Sequence, residues 1–167
     1  MNDSLAREGL SSSNAEDVPL PISVAYKRPL SRMYTTAEER WTRTSSCRIT
    51  KVMWGSFNFK KSNKLLNLSR SERRFAVGIY TDHSLIGHQA WRMGLIQNNS
   101  CRRCQLDGVK ETLEHILCTC PALARTRVMV LGWISFRDLA EVSRCDMRKL
   151  IDFARESGMF DLYDPRP

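Results

Sequence analysis

The sequence predicts a mainly α-helical fold: a small helical domain with one compact cysteine–histidine module and an extended N-terminal segment. Three observations carry that expectation. Apolar residues recur at helical spacing in several runs, capping signals open those runs, and SCRRCQLDGVKETLEHILCTCPAL (residues 100–123) concentrates four of the six cysteines and one of the three histidines.

In chain order, residues 10–30 combine a serine run, acidic residues and Pro19, Pro21 and Pro29, a composition that reads as an extended connector. Thr36 with Glu39 fits a capping box opening a helix that carries Trp41. Residues 47–65 mix aromatic and β-branched residues around Gly55, and strand, helix and loop all stay open there. Ser69 with Glu72 is a second capping box, and Phe75, Ala76, Ile79 and Tyr80 form an apolar helical face opposite a basic one. A short helix follows in LIGHQAWRMG, with Ile86, Ala90 and Met93 aligned and Gly94 as its stop; it is expected to pair with the preceding helix. Pro121 opens ALARTRVMVLG, which ends at Gly132. The last helix, in CDMRKLIDFARESG, aligns Met147, Leu150, Ile151 and Ala154, with Gly158 past its end. The expected divisions are 1–30, 31–95, 96–131 and 132–167.

The 167 residues suffice for a modest core without disulfides. The first residues lack the features of a secretory signal, and no run reaches the length of a membrane helix, so an intracellular protein without membrane contact is expected. In a reducing compartment, clustered cysteines read as metal ligands before disulfides. Lysine and arginine outnumber aspartate and glutamate by 26 to 18, with the surplus concentrated in residues 26–75. Such a field attracts polyanions, and RNA or DNA bound without sequence preference is the partner it suggests. No small-molecule substrate is indicated.

Cys101-x2-Cys104 is the spacing at which two thiolates on a tight turn grip one tetrahedral ion. Ten residues separate Cys104 from His115, and the fourth ligand is either Cys118, three positions beyond His115, or Cys120, just before Pro121. Zinc suits a closed Cys3His shell, and one such ion would be structural, giving a zinc-knuckle-like module. The competing reading makes these cysteines small core residues, as is expected for Cys47 and Cys145. Tyr80 and Trp91 are expected in the core rather than stacked on bases, and His83 and His88 in ordinary hydrogen-bonded or surface roles.

The run LNLSRSERRFAVGIYTDHSLIGHQAWRMGLIQNNSCRRCQLDGVKETLEHILCTCPALARTRVMVLG resembles the C-terminal tail of the polyproteins of arthropod non-LTR retrotransposons of the jockey kind, downstream of their ribonuclease H domain. The shared features are a Leu-Ser-Arg stretch before an arginine-rich helix, a Thr-Gly-His turn, a His-Arg-Met-Gly-Leu-like segment, and a Cys-x2-Cys, Glu-Thr-x2-His, Cys-Pro-Ala-Leu cluster. They cover about residues 60–160. The resemblance implies Cys120 as the fourth ligand, completing Cys101, Cys104 and His115. Here the Thr-Gly-His turn reads Thr81-Asp82-His83, losing the glycine that would ease it. The gap before His115 also departs from the short retroviral knuckle.

DSLAREG at the N-terminus is similar to the end of the ribonuclease H signature, which makes Asp3 a vestigial match to the last metal-holding carboxylate. Two-metal hydrolysis needs several convergent carboxylates. The strands that would supply the others, and a polymerase Tyr-x-Asp-Asp motif, are absent from this sequence, so no catalysis is expected. The expectation is a truncated retrotransposon-derived protein with a structural zinc and nonspecific nucleic-acid binding, and the retrotransposon polyprotein as a further partner. Lys60, Lys61, Lys64, Arg70, Arg73, Arg74, Arg102 and Arg103 are the residues expected to meet phosphate. The alternatives are a protein-interaction module, a ribonuclease H fragment completed by another chain, and a relic without function.

Overall fold

Local signals set the helix boundaries. The structure, a computed structural model, describes residues 22–84 and 86–158. Helix α1 spans Ile22–Arg43 and lies in one compact unit; residues from Thr44 onward form a second. In the second unit α2 is Arg48–Trp54, α3 Phe59–Leu66, α4 Arg70–Thr81 and α5 Gly87–Arg92. Then come a π-helical turn, His115–Thr119, a 3-10 turn, Pro121–Leu123, and α6 Ala124–Leu131, α7 Leu139–Val142 and α8 Met147–Glu156. The protein is mainly helical as expected, and an isolated antiparallel bridge joins Ser100 to Lys110. No described helix is long and apolar enough to cross a membrane.

Short polar side chains start the helices by accepting their first orphan N–H groups. Asn58 accepts from Lys61 N, Asp138 from Glu141 N and Asp146 from Arg148 N. The Ser69–Glu72 capping box forms with both bonds: the Ser69 hydroxyl accepts from Glu72 N, and Ser69 N donates to the Glu72 carboxylate. Gly132, at φ 86°, ends α6 in the left-handed conformation that glycine adopts without steric cost. Asp82 holds the same region at φ 59° after α4, so the turn forms without its glycine.

One core runs through the second unit. It joins Met53, Ile79 and Tyr80 to Leu113, Ile116 and Leu117, and these to Val142, Leu150, Ile151 and Phe153. Helix α4 packs on α2, α3 and α8, rather than chiefly on α5 as expected, while α8 also packs on α6. Helix α7 packs on α2 and on the π turn, which carries the helical half of the cysteine cluster into the middle of the domain. The expected divisions at 95/96 and 131/132 therefore do not separate cores.

Several expectations need correction. Residues 22–30, assigned to the extended connector, are helical, and the boundary placed at 30/31 falls inside α1. Pro29 removes one main-chain donor from a 22-residue helix, which continues past it; residues 1–21, with Pro19 and Pro21, lie outside the described residues. Thr36 sits within α1 rather than at its start. The open segment 47–65 is two helices. Cys47 is exposed, at φ 61° ahead of α2, not a core residue, whereas Cys145 is half-buried against the core. Tyr80 is buried, but Trp91 is 44% exposed, because α5 turns only its Gly87 and Ala90 inward. Met93 is exposed for the same reason.

Candidate metal centre

The first half of the centre is a tight ribbon. Cys101 N donates to Val109 O at 2.8 Å and Glu111 N to Asn99 O at 2.8 Å, closing the chain back across the Ser100–Lys110 bridge. Gln105 N donates to Cys101 O at 2.9 Å, and Gln105 and Gly108 take left-handed conformations, so residues 101–104 fold into a turn. Cys101 and Cys104 thereby approach from one side.

The second half is the π turn. Thr112 Oγ1 accepts from His115 N at 3.1 Å, and five residues later Cys120 N donates to His115 O at 2.7 Å. That extra residue in the turn places Cys120 beside His115 and leaves Cys118 fully buried in the core, where its carbonyl accepts from Phe136 N at 3.1 Å. Such single-turn bulges recur at functional sites.

Cys101, Cys104, His115 and Cys120 bring four ligand atoms within 4.8 Å of one another. Cys101 Sγ lies 3.9 Å from Cys120 Sγ, and Cys104 Sγ lies 3.5 Å from His115 Nε2. A tetrahedral zinc with ordinary bond lengths sets its sulfurs about 3.8 Å apart and a sulfur and nitrogen about 3.5 Å apart. The donor set therefore fits that ion in kind and in spacing. His115 Nδ1, on the far side of the ring, meets Thr119 Oγ1 at 3.2 Å, which orients the imidazole with Nε2 toward the sulfurs. No disulfide joins the cysteines.

Electrostatics explain what a cation would do there. Burial pushes the Cys101 thiol up, and burial with the neighbouring Cys101 charge pushes Cys120 up to about 12. At Cys104 burial also raises the pKa, but hydrogen bonds from Leu106 N and from the Cys101 and Cys120 side chains outweigh it and bring the thiol below its usual range. Burial, followed by the Arg127 charge, lowers His115 and favours the neutral imidazole that a metal requires. Cys118, away from the cluster, is held up at about 12 by burial and by Glu114.

Sequence reasoning gave no role to two buried charged residues beside the cluster. Glu111 is 1% exposed and accepts from Arg102 N at 2.9 Å, Gly87 N at 2.8 Å and the Arg102 guanidinium, tying the ribbon to α5. Its place in the Glu-Thr-x2-His motif was the available signal. Arg127, also 1% exposed, donates from Nη2 to Cys120 O at 2.6 Å. Arg125 and Arg127 are two apart on a helix and so cannot share a face; that spacing was its signal.

The expected phosphate-binding residues divide. Lys61 Nζ donates to Met53 O and Trp54 O and sits over the Trp54 and Tyr80 rings, capping α2. Arg73 caps α3 through Leu65, Leu66 and Leu68 carbonyls, and Arg102 is paired with Glu111. These three charges already hold main-chain carbonyls or a carboxylate, Arg73 at an exposed position and Lys61 and Arg102 at part-buried ones. Lys64 makes an exposed pair with Asp146. Lys60, Arg70, Arg74 and Arg103 are exposed. His83 is exposed with Nδ1 on Thr81 O, the ordinary role expected of it, whereas His88 stacks on Trp91 and its buried Nδ1 has no hydrogen-bond partner among the described residues. Asp3 lies outside the described residues.

Comparison with protein-family models, with curated proteins and with solved structures gave no match.

Proposed function

We propose that residues 44–158 form a helical module stabilised by one structural zinc, held by Cys101, Cys104, His115 and Cys120. The observation that carries this reading is the approach of four soft and borderline donors from two separate segments to within 4.8 Å. Four protein ligands close the coordination shell, so the ion would supply folding energy rather than a site for water or substrate. The likeness to a retrotransposon polyprotein tail supports the same ligand set and suggests an origin as a piece of such a protein, without catalysis of its own.

In this reading the module binds RNA or DNA without sequence preference. The net charge of +8 and the exposed Lys60, Arg70, Arg74 and Arg103 support it. A protein partner is the second reading, favoured by the exposed Met129, Trp133 and Ile134 at the end of α6, which are 76%, 65% and 67% accessible. Zinc stoichiometry of the dialysed protein and of Cys120→Ser and Cys118→Ser variants tests the site. One zinc per chain, lost with Cys120→Ser and kept with Cys118→Ser, is expected; a folded wild-type chain without zinc refutes it. Titration with a single-stranded oligonucleotide at rising salt separates the partners, since only phosphate contact predicts a steep loss of affinity.

A further inference from the structure

The Arg127 guanidinium is buried, yet it makes no ion pair with a carboxylate among the described residues. Its donors go to three neutral carbonyls: Nε to Ile134 O at 2.9 Å, Nη1 to Ile116 O at 3.2 Å and Nη2 to Cys120 O at 2.6 Å. Those bonds satisfy the fork but leave its charge unbalanced, and a buried charge without a counter-charge is strongly unfavourable. The Cys118 thiol in the π turn and the Cys120 thiol just after it lie near enough for their charges to act on it, and Cys120 is in the proposed ligand set. Three thiolates and a neutral imidazole around a dication would carry one net negative charge.

We infer that Arg127 is a positioning residue for the metal centre: it clamps the carbonyl of the ligand Cys120 and supplies the positive charge that balances a zinc–Cys3His unit. The inference rests on the zinc reading above. The same fork bonds Ile116 O within the π turn and Ile134 O beyond α6. Arg127 thus ties the π turn that carries His115 to the carbonyl of Cys120 just after it. Groups that orient and electrically balance a metal shell control affinity although they never touch the ion.

The test is zinc affinity, measured by competition with a chromophoric chelator, in the full chain and its variants. Arg127→Met removes charge and clamp together and is expected to weaken zinc binding about 100-fold, whereas Arg127→Lys keeps the charge and stays within about tenfold of wild type. A purely structural clamp is separated from a charge partner by repeating the comparison in Cys104→His, where a Cys2His2 centre would be neutral. There the loss caused by Arg127→Met is expected to shrink to about tenfold or less, a coupling that a double-mutant cycle reads directly. Equal losses in the two backgrounds overturn the charge role while leaving the zinc reading intact. Should Arg127→Met fail to fold, Arg127→Gln removes the same charge while keeping an amide donor, and its loss of zinc affinity is compared in the same two backgrounds; equal losses again overturn the charge role. A wild-type chain that takes up no zinc overturns the zinc reading and this inference together.

Discussion

The Arg102 guanidinium grips the Glu111 carboxylate as a fork, with Nη2 to Oε1 at 2.8 Å and Nε to Oε2 at 3.0 Å, while Arg102 N holds the same carboxylate at 2.9 Å. The pair is asymmetric: the Glu111 side chain is 1% exposed and that of Arg102 is 34% exposed. Removing the arginine therefore strands a buried anion, whereas the arginine itself retains access to water. Arg102→Ala is expected to cost about 3 kcal/mol in urea unfolding of the zinc-loaded protein. Arg102→Lys recovers only part of that, because an ammonium cannot reproduce the fork. A loss of no more than about 0.5 kcal/mol for Arg102→Ala would place the pair with ordinary surface contacts.

Asp82 follows α4 in the left-handed region, at φ 59° and ψ 23°, and its N–H caps Gly78 O. Burial also raises its carboxyl pKa, so its side chain adds a desolvation cost to the backbone one. Asp82→Gly relieves both and loses some stability through the freer unfolded chain. The expected net gain is about 0.5–1 kcal/mol, seen as a rise of about 3–6 °C in the unfolding midpoint. A lower midpoint would show that the aspartate makes a compensating contact.

Much of this arrangement is legible in the sequence because it depends on nearest neighbours. The Ser69–Glu72 box, the Gly132 stop and the Cys101–Cys104 turn are each written within four residues. The choice between Cys118 and Cys120 is not local in that sense. It depends on whether the turn after His115 closes over four residues or five, and regular periodicity cannot encode one inserted residue. Spacing left both open, and the fold brings Cys120 rather than Cys118 beside the other three donors. For Lys61, Arg73 and Arg102 the limit is different: composition counts a charge but does not show which carbonyl or carboxylate lies within reach of it. Pro29 shows the limit of a strong breaker, since one missing N–H did not end a long helix.

Glu72 links α4 to α8. Its carboxyl is held down at about 2, first by the Ser69 hydroxyl and then by Ser69 N, with further help from Arg155 and Arg148. Arg148 Nη1 and Arg155 Nη2 donate to its Oε1 at 2.9 and 3.2 Å. A depressed carboxylate contributes stability that is fully present above its unfolded value of 4.5 and is lost as pH falls toward about 2. Glu72→Gln keeps the shape of the box and removes the charge. In urea unfolding across acidic pH, wild type is expected to exceed the variant above pH 4.5, with the gap closing toward pH 2; losses common to both proteins cancel in the difference. A gap independent of pH would assign the contribution to packing instead.

The division of the basic residues yields a prediction about nucleic acid. Neutralising Lys60, Arg70, Arg74 or Arg103 to glutamine is expected to leave stability within about 0.5 kcal/mol, since each is a surface substitution. On a single-stranded oligonucleotide, each is expected to lower the slope of log affinity against log salt by about 0.7 if its charge contacts phosphate. Lys61→Met should do the opposite. It removes two carbonyl bonds at the end of α2 and a cation 5.1 Å from the Trp54 ring centre and 4.8 Å from that of Tyr80. A loss of about 1–2 kcal/mol in stability is expected, with the salt slope unchanged. Arg73→Met should behave in the same way, because its guanidinium is occupied by the carbonyls that end α3. If all six variants changed the slope alike, the internal bonds of Lys61 and Arg73 would have to yield to phosphate on binding. If none changed it, the exposed charges would be a solvated surface, and a protein partner would become the stronger reading.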